Sequence, residues 1–379
     1  MILTEEQQMI RDAAREFAQE QLAPNADAWS KQAQVPMNVL HAMGELGFMG
    51  MTVPEEWGGV GSDYVSYALA LEEIAAGDGA TSTIMSVNNA PVCAALLKEG
   101  SEEQKREFLV PLAKGEKIGA FCLTESQAGS DAAALKTKAV YKDGSYTLNG
   151  SKQFITSGQI AGAALIFAVT DPEAGKKGIT AFMVPTDLPG YKVAAVEEKM
   201  GQKASDTCSL SFDEMQVAEK YRLGEEGEGY RIALANLEQG RIGIAAQSVG
   251  MARSALEYAI AYANERMSFG KAIMQHQAVG FRLADMATKL EAARQLVLSA
   301  ASLRDAEQPC LKEACMAKLF ASETAEEICS AALQTLGGYG YLSDYPVERI
   351  ARDVRVCQIY EGTSDIQRLV ISRSLIGSV

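Results

Sequence analysis

The chain has 379 residues and an acidic balance, with 49 Asp and Glu against 35 Lys and Arg and a formal net charge of −14. This charge argues against a nucleic-acid partner, because nucleic-acid binding usually leaves a basic footprint. No apolar run reaches the roughly 20 residues that a membrane-spanning helix needs, so no stable membrane insertion is expected. With only two histidines, a multi-histidine metal site is not expected, and no metal ligands are predicted.

The N-terminal segment, residues 1–17, carries acidic residues and no uninterrupted apolar stretch, so it predicts a helix and no signal or transit peptide. Thr4 lies three residues ahead of Gln7, the spacing of a helix capping box. The seven cysteines form an odd set without CxxC pairs. They predict reduced, mostly buried thiols and a cytoplasmic protein.

Three segments follow one another in the order α, β, α. Residues 1–115 show helical periods with short Gly and Pro breaks and predict an N-terminal helical domain. From 116 to 226, apolar and polar residues alternate, and Asp143-Gly144 is a strong hairpin signal. This segment predicts a compact antiparallel middle β domain.

Residues 227–379 return to helical periodicity over longer stretches. Apolar residues advance by three and four along segments 241–265 and 277–303, which predicts one apolar stripe on each helix. The stripes consist of Val249, Ala252, Leu256 and Ala259 in the first helix, and of Leu283, Met286, Leu290, Ala293, Val297 and Ala300 in the second. Long helices joined by short loops predict a C-terminal four-helix bundle and, with the other segments, a multi-domain α+β fold.

Several common chemistries lack their motifs. No G-x-G-x-x-G follows a strand, no G-x-x-x-x-G-K-[ST] occurs, and no G-x-S-x-G nucleophile elbow is present. Nicotinamide binding of the Rossmann type, P-loop phosphoryl transfer and serine hydrolysis are therefore disfavoured.

Three polar or Gly-rich segments interrupt the regular structure. FCLTESQAGSD (121–131) can present N–H and O–H donors to a polar ligand, or it is an ordinary loop beside a strand. KQFITSG (152–158) puts an aromatic ring and a hydroxyl two residues apart on one face of a strand, an arrangement that suits a flat heteroaromatic ligand. ALQTLGGYGY (332–341) predicts a helix C-cap, or a backbone that approaches a phosphate or a neighbouring subunit.

CQIYEGTSDIQRLVI (357–371) carries the strongest candidate for a catalytic group. Glu361 stands between an apolar, strand-like run and a helix that Thr363 or Ser364 caps. An arbitrary glutamate in such a place is usually a plain loop carboxylate. Partial burial would raise its pKa toward neutral pH, because desolvation disfavours the charged form, and would suit it to act as a base.

Together these segments resemble the acyl-CoA dehydrogenase family, most closely its short-chain (butyryl-CoA) branch. The resemblance extends over essentially the whole chain, in order, through MSVNNAP (85–91), FCLTESQAGSD, LNGSKQFITSG, LEQGRIGIAAQSVG (237–250), ERMSFGKAIMQHQAV (265–279), LQTLGGYGY and IYEGTSDIQRLVI. It implies FAD as cofactor, an acyl-CoA substrate, an electron-transfer flavoprotein as partner and a homotetramer.

The resemblance also implies roles for individual residues. Glu361 matches the catalytic base, and glycine at 240 matches the position where some other branches carry that base. Flavin-side contacts are expected from Phe121, Leu123, Thr124, Gly129, Ser130, Phe154, Ile155 and Thr156. Contacts to the FAD of an adjacent subunit or its dinucleotide are expected from Arg266, Phe269, Gln277, Gln334, Leu336, Gly337, Gly338, Thr363 and Asp365. Substrate binding is expected from Ser130, Glu238, Gln239, Gly240, Arg241, Tyr360 and Gly362, with Arg241 as the local positive charge.

Two positions depart from the family pattern. Ser126 follows Thr124-Glu125 where a proline is usual, which predicts a looser loop. Phe154 replaces the usual tryptophan and keeps a ring of smaller area, which predicts somewhat weaker FAD binding.

The implied reaction is FAD-dependent α,β-dehydrogenation of a short-chain acyl-CoA to a trans-2-enoyl-CoA, in which Glu361 takes the α-proton. A short branched substrate such as isobutyryl- or 2-methylbutyryl-CoA is the next alternative. A same-fold acyl-CoA oxidase or lyase is another. The alternative of a different class is a non-catalytic helical oligomeric binding protein, which would purify without colour.

Overall fold

The structure is a computed structural model that describes residues 1–377, so the last two residues of the predicted C-terminal domain lie outside it. Its N-terminal part is helical, as predicted. The helices are α1 Glu5–Phe17, α2 Ala26–Gln32, α3 Met37–Glu45, α4 Tyr64–Gly77, α5 Gly79–Val87, α6 Ala94–Glu99, α7 Glu102–Gln104 and α8 Val110–Ala113. The capping box is confirmed, since the Thr4 side chain accepts from the N–H of Gln7 and the Gln7 side chain accepts from the N–H of Thr4.

Two buried asparagines hold the N-terminal part together behind α5. Ala90 breaks the helical path with φ −140° and ψ 106°, and the side chains of Asn88 and Asn89 bond the surrounding backbone. Asn88 donates to the carbonyls of Met49 and Leu112 and accepts from the N–H of Gly119, the first residue of the sheet. This joint ties the helices to the β domain.

The middle part is one eight-stranded sheet with the order β6-β7-β3-β2-β4-β5-β8 and β1 beside β4. The strands are β1 Gly119–Cys122, β2 Lys138–Lys142, β3 Ser145–Thr156, β4 Ala163–Val169, β5 Ile179–Pro185, β6 Tyr191–Val196, β7 Thr207–Ala218 and β8 Arg222–Leu223. The predicted hairpin is confirmed: Asp143 and Gly144 link β2 to β3 with φ values of 49° and 83°, as a two-residue turn between antiparallel strands requires.

The sheet is not wholly antiparallel. Strands β1 and β2 both run parallel to β4, while β5 pairs antiparallel along the whole of β4. Because β5 occupies one edge of β4, β1 and β2 share the other. The segment 123–137 connects them and leaves the sheet at that point, which is how this loop comes to project from a rigid frame.

The C-terminal part contains α9 Gly229–Glu265, a small hairpin of β9 Met267–Ser268 and β10 Lys271–Ala272, α10 Gln277–Asp305, α11 Leu311–Leu336, α12 Pro346–Val354 and α13 Ser364–Leu375. The predicted apolar stripes are buried except at Leu290, which is only partly buried. Residues of α4, α9, α10 and α11 share one core cluster, and α13 lies along α11 through Arg368 and Glu323. No helix within residues 1–377 is long and apolar enough to cross a bilayer.

Close approach of α4 and α9 joins the N- and C-terminal helices. A Cβ atom added at Gly250 of α9 would lie 2.1 Å from the carbonyl oxygen of Glu72 in α4, so the two backbones touch there. All seven cysteines are buried and unpaired, in agreement with the sequence analysis. The domain boundaries at residues 115 and 226 stay predictions.

Candidate active site

Glu361 lies in a tight turn that we call the Glu361 turn, residues 359–363. The preceding run is not a strand: residues 355–358 form a 3₁₀ turn after α12, which corrects the strand-like prediction. Short apolar runs fit a buried helical turn as well as a strand. Glu361 and Gly362 have φ values of 55° and 88°, and Thr363 then caps α13 by accepting from the N–H of Ile366, as predicted.

The carboxyl group of Glu361 lies against Gly240 of α9. A Cβ atom at residue 240 would stand 2.8 Å from Oε2 and 3.1 Å from Oε1, so only glycine leaves room for the carboxyl. The residue as a whole is partly exposed, but Oε2 is enclosed by protein and has no hydrogen-bond partner. Burial raises the pKa of Glu361 to about 7, although Arg241 and Lys318 act to lower it.

Two buried cations flank this carboxyl. Arg241 follows Gly240 on α9, and its Nη1 donates to Sγ of Cys315 at 3.4 Å while Nε has no partner. Lys318 of α11 is fully buried, and its Nζ donates to the carbonyl of Gly362 at 2.8 Å. Among the described residues no carboxylate oxygen is within 4.0 Å of either cation. Arg241 is therefore buried, and its positive charge acts on Glu361. Its expected role in substrate binding stays a prediction.

The other predicted substrate residues lie on the two segments that meet at this contact, residues 238–241 of α9 and 360–362, except Ser130, which is exposed on the loop after β1. Gln239 is buried and accepts from the hydroxyl of Tyr64 at 2.6 Å, while Glu238 is partly buried and lies 3.5 Å from Sγ of Cys310. The hydroxyl of Tyr360 donates to Gln247 of α9 at 2.8 Å. The structure thus brings Glu238, Gln239, Gly240, Arg241, Tyr360, Glu361 and Gly362 together from two distant parts of the sequence.

The loop after β1 is held by an ion pair that sequence analysis missed. Lys152 of β3 is buried and donates to Glu125 at 2.8 Å and to the carbonyl of Leu123 at 3.1 Å. Glu125 also accepts from the backbone N–H groups of Lys136 and Thr137. The predicted loosening by Ser126 is therefore opposed, because Glu125 anchors the loop to its own far end.

Phe154, Ile155 and Thr156 lie on β3 next to this loop. A bulge between Lys152 and Ile155 interrupts the pairing with β7, and Phe154 adopts φ 59°. Ile155 points into the core, whereas the Phe154 ring is 60% exposed and Thr156 is partly buried. The bulge leaves an aromatic ring at the surface of the sheet, available to a ligand.

Comparison with known proteins identifies the architecture. Models of the acyl-CoA dehydrogenase N-terminal, middle and C-terminal domains match residues 4–116, 120–215 and 227–376. The short-chain specific acyl-CoA dehydrogenase of Rattus norvegicus mitochondria is 46% identical over 376 residues, 99% of this chain and 91% of that protein. The chain belongs to the acyl-CoA dehydrogenase family. The predictions of family, fold class and enzyme class are confirmed.

Two solved structures agree with this membership. Butyryl-CoA dehydrogenase from Megasphaera elsdenii has a TM-score of 0.97 and 40% identity, with 99% of each chain covered. A chain from a structure of the electron transferring flavoprotein of Acidaminococcus fermentans, determined to study flavin-based electron bifurcation, has a TM-score of 0.98 and 46% identity, again over 99% of each chain.

The acyl-CoA dehydrogenase family is FAD-dependent, and the predicted FAD residues offer suitable surfaces. Arg266, Leu336, Gly337 and Gly338 line one cleft of about 380 Å³, in which the Arg266 guanidinium lies 5.5 Å from the ring centre of Tyr339. Gly337 is the C-cap of α11 with φ 62°, so the C-cap interpretation holds for it. Gly338 has no such backbone requirement, and a Cβ there would meet nothing within 4 Å.

The loop after β1 also contains a glycine with open space around it. A Cβ at Gly129 would also meet nothing within 4 Å, and Gly129 and Ser130 are exposed, while Thr124 is partly buried. A cationic side chain with bare glycine backbone fits a diphosphate, and the exposed Phe154 ring fits a flat heteroaromatic system. The residues present therefore fit FAD.

The remaining predicted residues are distributed over the surface and the sheet. Gln277, Gln334 and Asp365 are exposed, and Phe269 at the tip of the β9–β10 hairpin is 94% exposed with φ 50°. Leu123 is buried, and Phe121 packs edge-to-face on Phe167 with ring centres 5.1 Å apart. Within one chain the structure does not gather these residues at Glu361, and their roles stay predictions.

Lys318 is the site residue that sequence analysis missed. It lies on the face of α11 that carries Ala314, Ala321 and Ala325, all of them buried. A lysine inside an apolar stripe of small residues is a signal that the sequence contains, since lysine is almost never fully buried without a partner.

Proposed function

We propose that this enzyme dehydrogenates short-chain acyl-CoA thioesters between the α- and β-carbons, with Glu361 as the base that removes the α-proton. The observation that carries the proposal is the carboxyl of Glu361: its Oε2 is enclosed and lacks a hydrogen-bond partner, and burial raises its pKa to about 7. An acid or base works best when its pKa is near the pH of the reaction.

The chain's own residues supply geometry and electrostatics. Phe154, Thr156 and the loop at Thr124 would hold the flavin end of FAD, and the cleft at Arg266 and Gly338 would hold the FAD of an adjacent subunit. Bound FAD would supply the acceptor for the hydride equivalent that leaves the β-carbon. Glu361 receives the α-proton at Oε1 or Oε2, and Gly240 leaves the space that this carboxyl occupies.

Short straight-chain acyl groups are the substrates best supported. The rat relative is short-chain specific, and the Megasphaera relative is a butyryl-CoA dehydrogenase.

Electrons pass to an electron-transfer flavoprotein, in line with the 46% identical chain found in a structure of such a flavoprotein. A homotetramer is proposed because the resemblance to the family implies it, and the exposed rings of Phe269 and Tyr341 are candidates for its interfaces. Seven unpaired cysteines support a cytoplasmic location.

The test is Glu361→Gln, which keeps the shape of the side chain and removes the base. Purified wild type and variant should both be yellow and contain equal FAD. Anaerobic mixing with butyryl-CoA should reduce the wild-type flavin, and the variant should react about 10³-fold more slowly, since general-base catalysis supplies roughly 10²–10⁴-fold. Near-full turnover by the variant would remove Glu361 from this role.

The substrate and acceptor are tested separately. Isobutyryl-CoA and hexanoyl-CoA should reduce the flavin less efficiently than butyryl-CoA in the same anaerobic titration. In air, reduced enzyme should transfer electrons to an electron-transfer flavoprotein much faster than it releases peroxide. Fast peroxide release would instead identify an acyl-CoA oxidase.

A further inference from the structure

The chain contains two fully buried lysines among its described residues, and they differ in how their charge is met. Lys152 has a carboxylate of its own, Glu125, at 2.8 Å. Lys318 has no carboxylate within 4.0 Å in the part of the chain that the structure describes. Burying an ammonium group without a carboxylate partner costs folding free energy, so a lysine in such a place is expected to have a function.

Lys318 is bonded to the turn that carries Glu361. Its Nζ donates to the carbonyl of Gly362 at 2.8 Å, in the Glu361 turn itself. Gln367 of α13 donates to the same carbonyl at 2.8 Å and to that of Glu361 at 3.2 Å. The turn, with two consecutive residues at positive φ, is therefore fastened from α11 and from α13.

Helix α11, which carries Lys318, packs against α9, and the Glu361 carboxyl lies against Gly240 of α9. Ala317 and Ala321 on α11 are buried and small, which lets the helices approach closely. The ionisable groups around Lys318 are Glu361 and Cys357 from the segment before α13, Arg241 from α9 and Cys315 from α11. Around Glu361 they are Arg241, Lys318 and, from α4, Tyr67. Glu361 is thus the acid on which the charge of Lys318 acts.

We propose that Lys318 is a positioning residue for the α-proton transfer: its ammonium fixes the Glu361 turn through Gly362 and holds a positive charge beside the carboxylate base. The inference rests on the proposed role of Glu361. Burial lowers the pKa of Lys318 to about 8, and the charge of Glu361 counteracts this effect. Removing the ammonium should therefore make Glu361 harder to ionise.

The experiment compares Lys318→Gln, Lys318→Met and Lys318→Arg in the FAD-loaded enzyme. Gln keeps an uncharged N–H donor group, Met removes both the donor group and the charge, and Arg keeps both. The pH midpoint of kcat/KM for butyryl-CoA should rise by roughly one pH unit in the Gln and Met variants, so that kcat/KM at pH 6 falls about tenfold. The Arg variant should stay near the wild-type midpoint, and the Met variant should lose more kcat at high pH than the Gln variant.

Ser322→Ala is the matched control, because Ser322 is buried one turn further along α11 and its hydroxyl donates only to the carbonyl of Leu319. The substitution keeps the backbone carbonyl of residue 322, which accepts from Gln358. It should leave the pH midpoint unchanged. If Lys318→Met does not fold, Lys318→Gln carries the test. The proposal would be overturned if the Gln variant kept the wild-type pH midpoint of kcat/KM and showed only a lower unfolding temperature. An active Glu361→Gln enzyme would instead refute the proposed function, so the two failures are distinguishable.

Discussion

Glu361 combines three unusual properties in one residue: φ of 55°, an enclosed Oε2 without a partner, and two buried cations nearby. A non-glycine residue in the left-handed region and an unpaired buried polar atom each cost free energy of folding. Such costs concentrate at functional sites, where the surrounding structure enforces them. Here the fastening comes from Lys318 and Gln367, which bond the backbone of the turn.

The titration of Glu361 should govern the pH dependence of the reaction. Because burial raises its pKa to about 7, the carboxyl is mostly protonated below that pH and cannot accept a proton. We expect kcat/KM for butyryl-CoA to rise about tenfold per pH unit below the midpoint and to level off above it. The measurement is anaerobic flavin reduction from pH 5.5 to 9. A flat profile over this range, as a carboxyl with the ordinary glutamate pKa of about 4.3 would give, would contradict the assignment.

At the scale of elements, α9 carries the site and its glycines serve different contacts. Gly240 faces the end of a flexible side chain, the Glu361 carboxyl, whereas Gly250 faces the backbone carbonyl of Glu72 on α4. The first contact can yield by moving a carboxyl, and the second only by moving a helix. Substitution by alanine should therefore lower the activity at residue 240 and the stability at residue 250.

We predict that Gly240→Ala lowers kcat at least tenfold with little change in stability, because it displaces the carboxyl from its working position. Gly250→Ala should instead lower the free energy of unfolding by roughly 1–3 kcal/mol through overpacking. Gly280→Ala, in α10 where a Cβ has room, is the control and should preserve both. Flavin-reduction rates and chemical denaturation midpoints measure the two effects. Full activity in Gly240→Ala would show that the carboxyl position is not required.

At the scale of the molecule, one buried carboxylate joins the N- and C-terminal helices. Glu73 of α4 accepts from Arg15 of α1 at 2.8 Å and from Arg253 of α9 at 2.5 and 2.8 Å. Burial by itself would raise the pKa of Glu73, but the hydrogen bonds from Arg253 and Arg15 lower it overall. The ion pairs therefore stabilise the fold above the unfolded-state pKa of glutamate and lose this contribution as the pH falls below it.

Glu73→Ala should destabilise the protein by about 3 kcal/mol, the lower end of the range for breaking a buried ion pair. Arg15 and Arg253 lose the carboxylate that they share, and Arg253 keeps only its longer contacts with Glu72 and Glu257 at 3.7 and 3.8 Å. Asp27→Ala removes an exposed pair with Lys31 and should change stability by less than about 1 kcal/mol. Urea denaturation at pH 7 measures both. Equal effects of the two substitutions would show that the buried cluster does not join the domains energetically.

Interactions between residues close in sequence determine several secondary-structure elements of this protein. The capping box at Thr4, the hairpin at Asp143-Gly144 and the stripes of the long helices depend on neighbours a few residues apart, so periodicity and turn residues predict them. The turn around Glu361 and its cap at Thr363 are also contiguous in sequence, so the sequence identified Glu361 as a candidate. Its assignment as the base came from the resemblance to the acyl-CoA dehydrogenase family and stays a prediction.

Contacts between distant segments were decided only by the tertiary structure. The carboxyl of Glu361 meets Gly240, 121 positions earlier, and the burial that raises its pKa comes from that packing. The burial of Arg241 and the hydrogen bond from Lys318 to the Glu361 turn both depend on how α9 and α11 pack against each other. Sequence periodicity specifies which face of a helix is buried, but not which residues of another helix lie opposite it.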